Sequence, residues 1–287
     1  MTPMLAYLVC ATPRSGSTLL CHALDATGVA GHPDEYFEAL SRSGLPRRPH
    51  EYFDPQRHAN IVERLAFREM PDGDAKPNPL WHPDTYDRYL AWALERGTTP
   101  NGVFGAKLMW GYLGDFAQLL RGIEGMADRP LPELLGRAFP GLRYIQITRE
   151  NKIRQAVSLW KAVQTQTWKR EPGEDERPVE LVFSFRAINY LVRLLTAHDA
   201  SWDAYFLGLG YEPLKLTYEE LAESTDEVVR RVLEHLGIPV PADLAVTAPR
   251  LSVQADAISE EWVRRVDEHL RALEAPEPVR VLGGMGA

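Results

Sequence analysis

The stretch Thr12-Pro-Arg-Ser-Gly-Ser-Thr18 brings one arginine, one glycine and four hydroxyl side chains together directly after the apolar run 4–10. This composition suits an oxyanion. Gly16 lets backbone N–H groups approach a ligand closely, Arg14 offers a planar fork of donors, and a helix starting near Ser17 would aim its positive end at the same point. Phosphate or sulfate is the ligand such a loop fits. The alternative is a plain strand-to-helix turn whose Ser15 or Ser17 hydroxyl only caps the helix. A nucleoside-triphosphatase loop would read Gly-x4-Gly-Lys-Ser/Thr, and this stretch has neither that lysine nor that spacing.

Three other features carry reactive side chains: the adjacent carboxylates Asp34 and Glu35, Lys107, and Arg149 with Ser158 nine residues later. A carboxylate beside an anion site can act as general base, and a lysine can neutralise developing charge. Each residue also has a structural reading. Glu35 could be a solvated loop carboxylate with Asp34 as the competing base, and Lys107 a strand-end lysine whose stem covers apolar surface. Arg149 could pair with Glu150 or a sheet-edge carbonyl, and Ser158 could bond back to its own helix. Trp110, Trp160 and Trp168 could stack on adenine or sugar, or fill the core.

These side chains need a common edge to work together. Apolar runs at 4–10, 103–109, 142–148 and 213–218 read as buried strands, and the patterns between them have helical spacing. Helices are expected at 17–27 with Gly28 as stop, 61–67, 85–96, 151–168 capped by Asn151, 181–205 and 227–236. Alternation of this kind implies an α/β fold with a parallel β-sheet of about five strands flanked by helices on both faces. In such a sheet, loops at the carboxyl ends of the strands gather on one edge, where ligands bind. The proline-rich stretch 71–83 reads as a surface insertion, the charged stretch 171–178 as a mobile loop, and 276–287 as a flexible tail after a single domain over 1–275.

Composition narrows the classes. With 287 residues, 45% of them hydrophobic, the chain can bury a full core. A net charge of −8 argues against general nucleic-acid or anionic-membrane binding, so any cationic site must be local. Cys10 and Cys21 are the two cysteines, and they read as small buried residues rather than a disulfide framework. No signal peptide and no run near the ~18 apolar residues of a membrane span is present, which leads to the expectation of a cytoplasmic protein. The eight histidines lack zinc-site spacing, so no metal is expected. At this level three functions compete: a group-transferring enzyme at the anion site, a nucleotide-dependent kinase, and a noncatalytic nucleotide-binding regulator.

The opening loop resembles the 5'-phosphosulfate loop of sulfotransferases that use 3'-phosphoadenosine 5'-phosphosulfate (PAPS), and Arg149 with Ser158 resembles their 3'-phosphate pair. The chain is similar to the bacterial trehalose 2-sulfotransferase family through Ala26-Thr-Gly-Val-Ala-Gly31, Glu35-Tyr-Phe37, Thr99-Pro-Asn-Gly-Val103 and Lys107-Leu-Met-Trp110. Gln155-Ala-Val-Ser158, Ala162-Val-Gln-Thr165 and Glu261-Trp-Val263 extend the likeness over most of the chain. The resemblance implies a P-loop-like sulfotransferase domain in which Arg14, Ser15, Gly16, Ser17 and Thr18 hold the 5'-phosphosulfate. Arg149 and Ser158 would take the 3'-phosphate. Glu35 would be the general base, Arg14 and Lys107 would assist at the sulfuryl group, and His32, Asp34 and Glu35 would contact the acceptor. PAPS would be the cosubstrate, a carbohydrate or glycosylated metabolite the acceptor with trehalose the first candidate, and the enzyme a homodimer.

Overall fold

The structure, a computed structural model, describes residues 3–68, 76–168, 180–241 and 257–274. In chain order the elements are β1 (Leu5–Ala11), α1 (Ser17–Asp25), α2 (Pro55–Arg68), α3 (Tyr86–Arg96), β2 (Val103–Met109), α4 (Trp110–Arg121), α5 (Leu131–Ala138) and β3 (Arg143–Thr148). They continue with α6 (Lys152–Thr165), α7 (Phe185–Leu209), β4 (Leu214–Thr217), α8 (Tyr218–Glu223), α9 (Thr225–Leu236) and α10 (Ala257–Glu274). All strand pairs are parallel and the sheet order is β2-β1-β3-β4. Among the described residues the sheet has four strands where the sequence suggested about five, and each matches one of the apolar runs.

Side chains of successive strand residues point to opposite faces, so a strand buried along its whole length is covered on both. Residues 6–11 of β1 and all seven of β2 are buried. The main core packs around the sheet, with Leu8, Phe104, Phe116, Phe139, Ile145 and Trp202 among its members. A second core gathers Phe53, Leu65, Val157, Trp160, Leu191, Leu195, Trp262 and Val266. The 25-residue helix α7 contributes to both, through Leu191 and Leu195 at one end and Trp202 and Phe206 at the other, and so ties them together.

Several boundaries differ from the sequence reading for local reasons. Neither Ser15 nor Ser17 caps α1: Gly16 holds the cap position with φ 87° and no side chain closes the helix end. Asn151 does cap α6, accepting from Arg154 N, but the helix stops at Thr165 because Gln166 turns left-handed at φ 57°. Pro55 starts α2 earlier than expected, as proline favours the first helical turn. Ser184 caps α7, accepting from Ala187 N, so the helix begins after it rather than at 181. Of the remaining segments, 69–75, the charged stretch 171–178 and the tail 276–287 lie outside the described residues.

Candidate active site

The order β2-β1-β3-β4 sends the chain from β1 to one side and then back across to the other, which opens a crevice between the carboxyl ends of β1 and β3. The loop after β1 fills its floor. Gly16 must be glycine here, because a Cβ would meet Tyr218 Cδ2 at 2.7 Å and φ is 87°. Arg14 is also left-handed, at φ 65°, a conformation that costs about 1–3 kcal/mol in a non-glycine residue. Its side chain fixes it there: Nε donates to Ser158 Oγ at 2.9 Å and NH1 donates to the Trp168 carbonyl at 2.9 Å. The uncapped first turn of α1 leaves N–H groups facing the crevice, and the buried Ser15 Oγ has no partner.

The second cationic residue arrives through strand register. Thr148 of β3 pairs with Thr217 of β4, so the next residues, Arg149 and Tyr218, come off the sheet side by side. The Arg149 guanidinium lies 4.3 Å over the Tyr218 ring, and its buried Nε has no hydrogen-bond partner. Burial lowers the pKa of Arg14, and the neighbouring Arg149 lowers it further. Burial likewise lowers Arg149, with Tyr218 and Glu219 opposing. Two guanidinium groups close enough to repel one another suit a multiply charged anion. Ser158 sits on the Arg14 side of this pair, so the residues expected from sequence to hold the 5'-phosphosulfate and the 3'-phosphate are joined through Arg14.

A carboxylate is held beside the loop by backbone pairing. The segment 31–37 runs along the free edge of β2, where Asp34 bridges Ala106 and its carbonyl accepts from Lys107 N at 2.9 Å. Gly31 makes that approach possible, since a Cβ would lie 2.6 Å from Gly105 N. Phe37 anchors the other end, stacked on Phe116 at 4.4 Å in the core. Glu35 is thereby placed next to Lys107: Oε2 lies 2.7 Å from Lys107 Nζ, and Oε1 accepts from the Tyr112 hydroxyl at 3.0 Å. Lys107 Nζ also donates to Thr18 Oγ1 at 3.0 Å, within the anion loop. Burial disfavours the Lys107 ammonium, but the neighbouring groups, Glu35 foremost, together outweigh it and the pKa stands above the ordinary lysine value.

Beneath the loop lies a buried polar network. Thr12 Oγ1 donates to Asp199 Oδ1 at 3.1 Å, and Gln155 Nε2 donates to Thr12 Oγ1 at 2.9 Å and to the Pro13 carbonyl at 2.8 Å. Lys152 Nζ lies 2.5 Å from Asp199 Oδ2 and also donates to Gln155 Oε1 at 3.1 Å and to the Arg149 carbonyl. Burial raises the Asp199 pKa while Lys152 and Thr12 oppose it. One network from α6 and α7 therefore braces both the loop of Arg14 and the turn of Arg149.

The structure brings together Arg14, Ser15, Gly16, Ser17, Thr18, Glu35, Lys107, Arg149 and Ser158. Asp34 stays at the rim, its Oδ1 accepting from Glu35 N at 2.9 Å. His32 is drawn elsewhere: its ring bonds Asp25 at 2.6 Å, at the far end of α1 from the loop. Tyr112, Tyr218, Asp199, Lys152 and Gln155 join the site without having been singled out as site residues from sequence. Tyr218 closes the apolar run 213–218, a strand-end position that could have marked it. Among the described residues, no group of three or more His, Cys, Asp or Glu side chains is placed to hold a metal ion. No described helix is long and apolar enough to cross a membrane.

Comparison with known proteins adds to this geometry. Residues 6–269 match the model of the Stf0 sulphotransferase family. A trehalose 2-sulfotransferase of Mycolicibacterium smegmatis is 35% identical over 266 residues, covering 91% of this chain and 93% of the relative. One of Mycobacterium tuberculosis is 33% identical over 274 residues, covering 90% and 93%. Among solved structures, the sulfotransferase domain of the Synechococcus PCC 7002 olefin synthase aligns with TM-score 0.41 at 15% identity, covering 96% of this chain and 97% of that one. By sequence, the chain belongs to the Stf0 sulphotransferase family and is a sulfotransferase.

Proposed function

We propose that this enzyme takes its sulfonate from PAPS and transfers it to a carbohydrate hydroxyl, with trehalose the first acceptor to test and Glu35 the general base. The observation that carries the reading is Lys107, whose ammonium contacts both Glu35 and Thr18 and so places base and anion loop around one point. The residues also fit the donor. Ser15 Oγ and Arg149 Nε are buried polar atoms without partners, and a buried donor left unmade costs about 1–3 kcal/mol that a bound oxyanion would recover. Arg14, Ser15, Gly16, Ser17 and Thr18 would hold the 5'-phosphosulfate, and Arg149 with Ser158 the 3'-phosphate.

In this reading Glu35 takes the proton of the acceptor hydroxyl as that oxygen bonds to sulfur and the bond from sulfur to the phosphate oxygen breaks. Tyr112 fixes the Glu35 rotamer, and Lys107 offsets charge on the sulfuryl oxygens in line with the base. Arg14 and the first turn of α1 hold the departing phosphate. Asp34 remains an acceptor contact, while His32, held by Asp25, takes no part. The two relatives named trehalose 2-sulfotransferase support the acceptor class. The family resemblance supports a homodimer, and the burial of Cys10 and Cys21 as small apolar residues supports a reducing, cytoplasmic setting. Light scattering across concentration tests the dimer, and a persistent monomer would reject it.

Calorimetry with 3'-phosphoadenosine 5'-phosphate (PAP) tests the donor site, with ADP and ATP as comparisons. Both anion pockets predict a strong preference for PAP, and equal binding of ADP would remove the role given to Arg149 and Ser158.

A further inference from the structure

Of the three tryptophans the sequence set aside, two are used inside the protein: Trp160 is buried in the second core and Trp110 packs edge-on against Trp202 at 5.0 Å. Trp168 differs, with 36% of its surface exposed. One face stacks on Tyr52, with ring centroids 5.6 Å apart and planes at 24°. Its carbonyl accepts from Arg14 NH1, which ties the indole to the anion loop. Tyr52 in turn carries the Arg47 guanidinium 5.4 Å over its ring, and Arg47 donates to the carbonyl of Gly111. The next residue, Tyr112, holds Glu35. A closed circuit of contacts thus runs from Arg14 through Trp168, Tyr52, Arg47 and α4 to Glu35.

We propose that the exposed face of Trp168, backed by Tyr52, is the platform on which the ring of a sugar acceptor stacks. The inference rests on the sulfotransferase reading of the site and names the acceptor subsite within it. An aromatic face is electron-rich and accepts the polarised C–H face of a pyranose, while leaving hydroxyls at the ring edge free for a nearby base. The position fits, because the contacts from Tyr52 lead through Arg47 and the Gly111 carbonyl to Tyr112, which donates to Glu35. An acceptor on this platform would start from the Arg14 side, where the Trp168 carbonyl is bonded, and would have to present its hydroxyl to Glu35.

The test is direct binding of trehalose to the PAP-loaded protein by calorimetry, with Trp168→Ala and Trp168→Phe beside wild type, followed by transfer kinetics. The expected result is about a three- to tenfold loss of sugar affinity in Trp168→Ala, about what an aromatic contact supplies, with most of it regained in Trp168→Phe. KM for the sugar should rise accordingly while kcat and PAP affinity stay within about threefold. Unchanged sugar affinity in Trp168→Ala with PAP binding intact overturns the platform alone. A fall in PAP affinity and kcat without a change in sugar affinity also overturns it, making Trp168 a prop for Arg14. Wild-type preference for a phenol over the sugar rejects the sugar assignment. Loss of PAP selectivity in wild type, read in the same titrations, defeats the donor-site reading instead.

Discussion

Burial works against the Lys107 ammonium, yet Glu35 at 2.7 Å holds its pKa above the ordinary lysine value. A raised folded pKa means that the stability linked to the Lys107 proton is complete throughout the neutral range and is lost as pH rises through the folded value. Removing one partner has a different effect, because it strands the other. Glu35→Ala is expected to destabilise by about 3 kcal/mol in urea titration, and adding Lys107→Met should recover much of that. Glu35→Gln keeps the shape and should lower kcat by about 10²–10⁴-fold while PAP affinity holds. His198 gives the opposite pH sign: burial, then Arg47, lower its pKa from 6.5 to about 4. The unfolded chain therefore binds the extra proton between those values, so stability falls as pH drops through that window. Denaturation midpoints across it should show a steeper fall for wild type than for His198→Gln.

At the scale of elements, the loop after β1 works because two residues take left-handed conformations and neighbouring elements hold them there. Gly16→Ala would push a methyl group to 2.7 Å from Tyr218 Cδ2, so PAP affinity should drop at least tenfold and the melting temperature should fall. Asp199→Asn leaves Lys152 without its counter-charge below both the Arg14 loop and the Arg149 turn. Calorimetry and denaturation should show weaker PAP binding and a loss of about 2 kcal/mol, with Lys152→Met/Asp199→Asn closer to wild type in stability. The four strands were readable because each is a short apolar run closed by turn residues, and their common edge followed from the alternation with helices. Arg14 and Arg149 were readable as charged residues just past strand ends, and Glu35 and Lys107 as reactive side chains in a loop and a strand near them. The start of α1 at Ser17 was readable too, but its cap was not, since composition favoured a serine and only the packing of Tyr218 shows why glycine occupies that position. Tyr112, Asp199 and Lys152 were hidden for the same reason: each reaches the site from a helix whose placement depends on long-range packing. His32 stood beside Glu35 in sequence, but the bridge of Asp34 to β2 sends the two side chains to different places.

On the scale of the whole molecule, a chain of net charge −8 brings the guanidinium groups of Arg14 and Arg149 to one crevice, with the buried Arg149 Nε unpartnered there. The anionic remainder repels polyanions, while Arg14 and Arg149 admit a small one, which favours a mononucleotide donor over nucleic acid. The two cores serve this arrangement, as α7 reaches from the second core to brace the loop through Asp199. Binding of PAP should accordingly stabilise the fold as a unit, with a concentration-dependent rise in melting temperature that fails in Arg14→Ala. The central claim is sulfonate transfer between the anion loop and Glu35, and the most direct measurement is mass spectrometry of trehalose incubated with PAPS and either wild type or Glu35→Gln. A sugar one sulfonate heavier with wild type, and a rate lower by at least a hundredfold with Glu35→Gln at equal PAP affinity, is the predicted result. Equal rates for the two proteins would contradict Glu35 as the base, and no sulfated sugar from a PAP-binding wild type would contradict the acceptor.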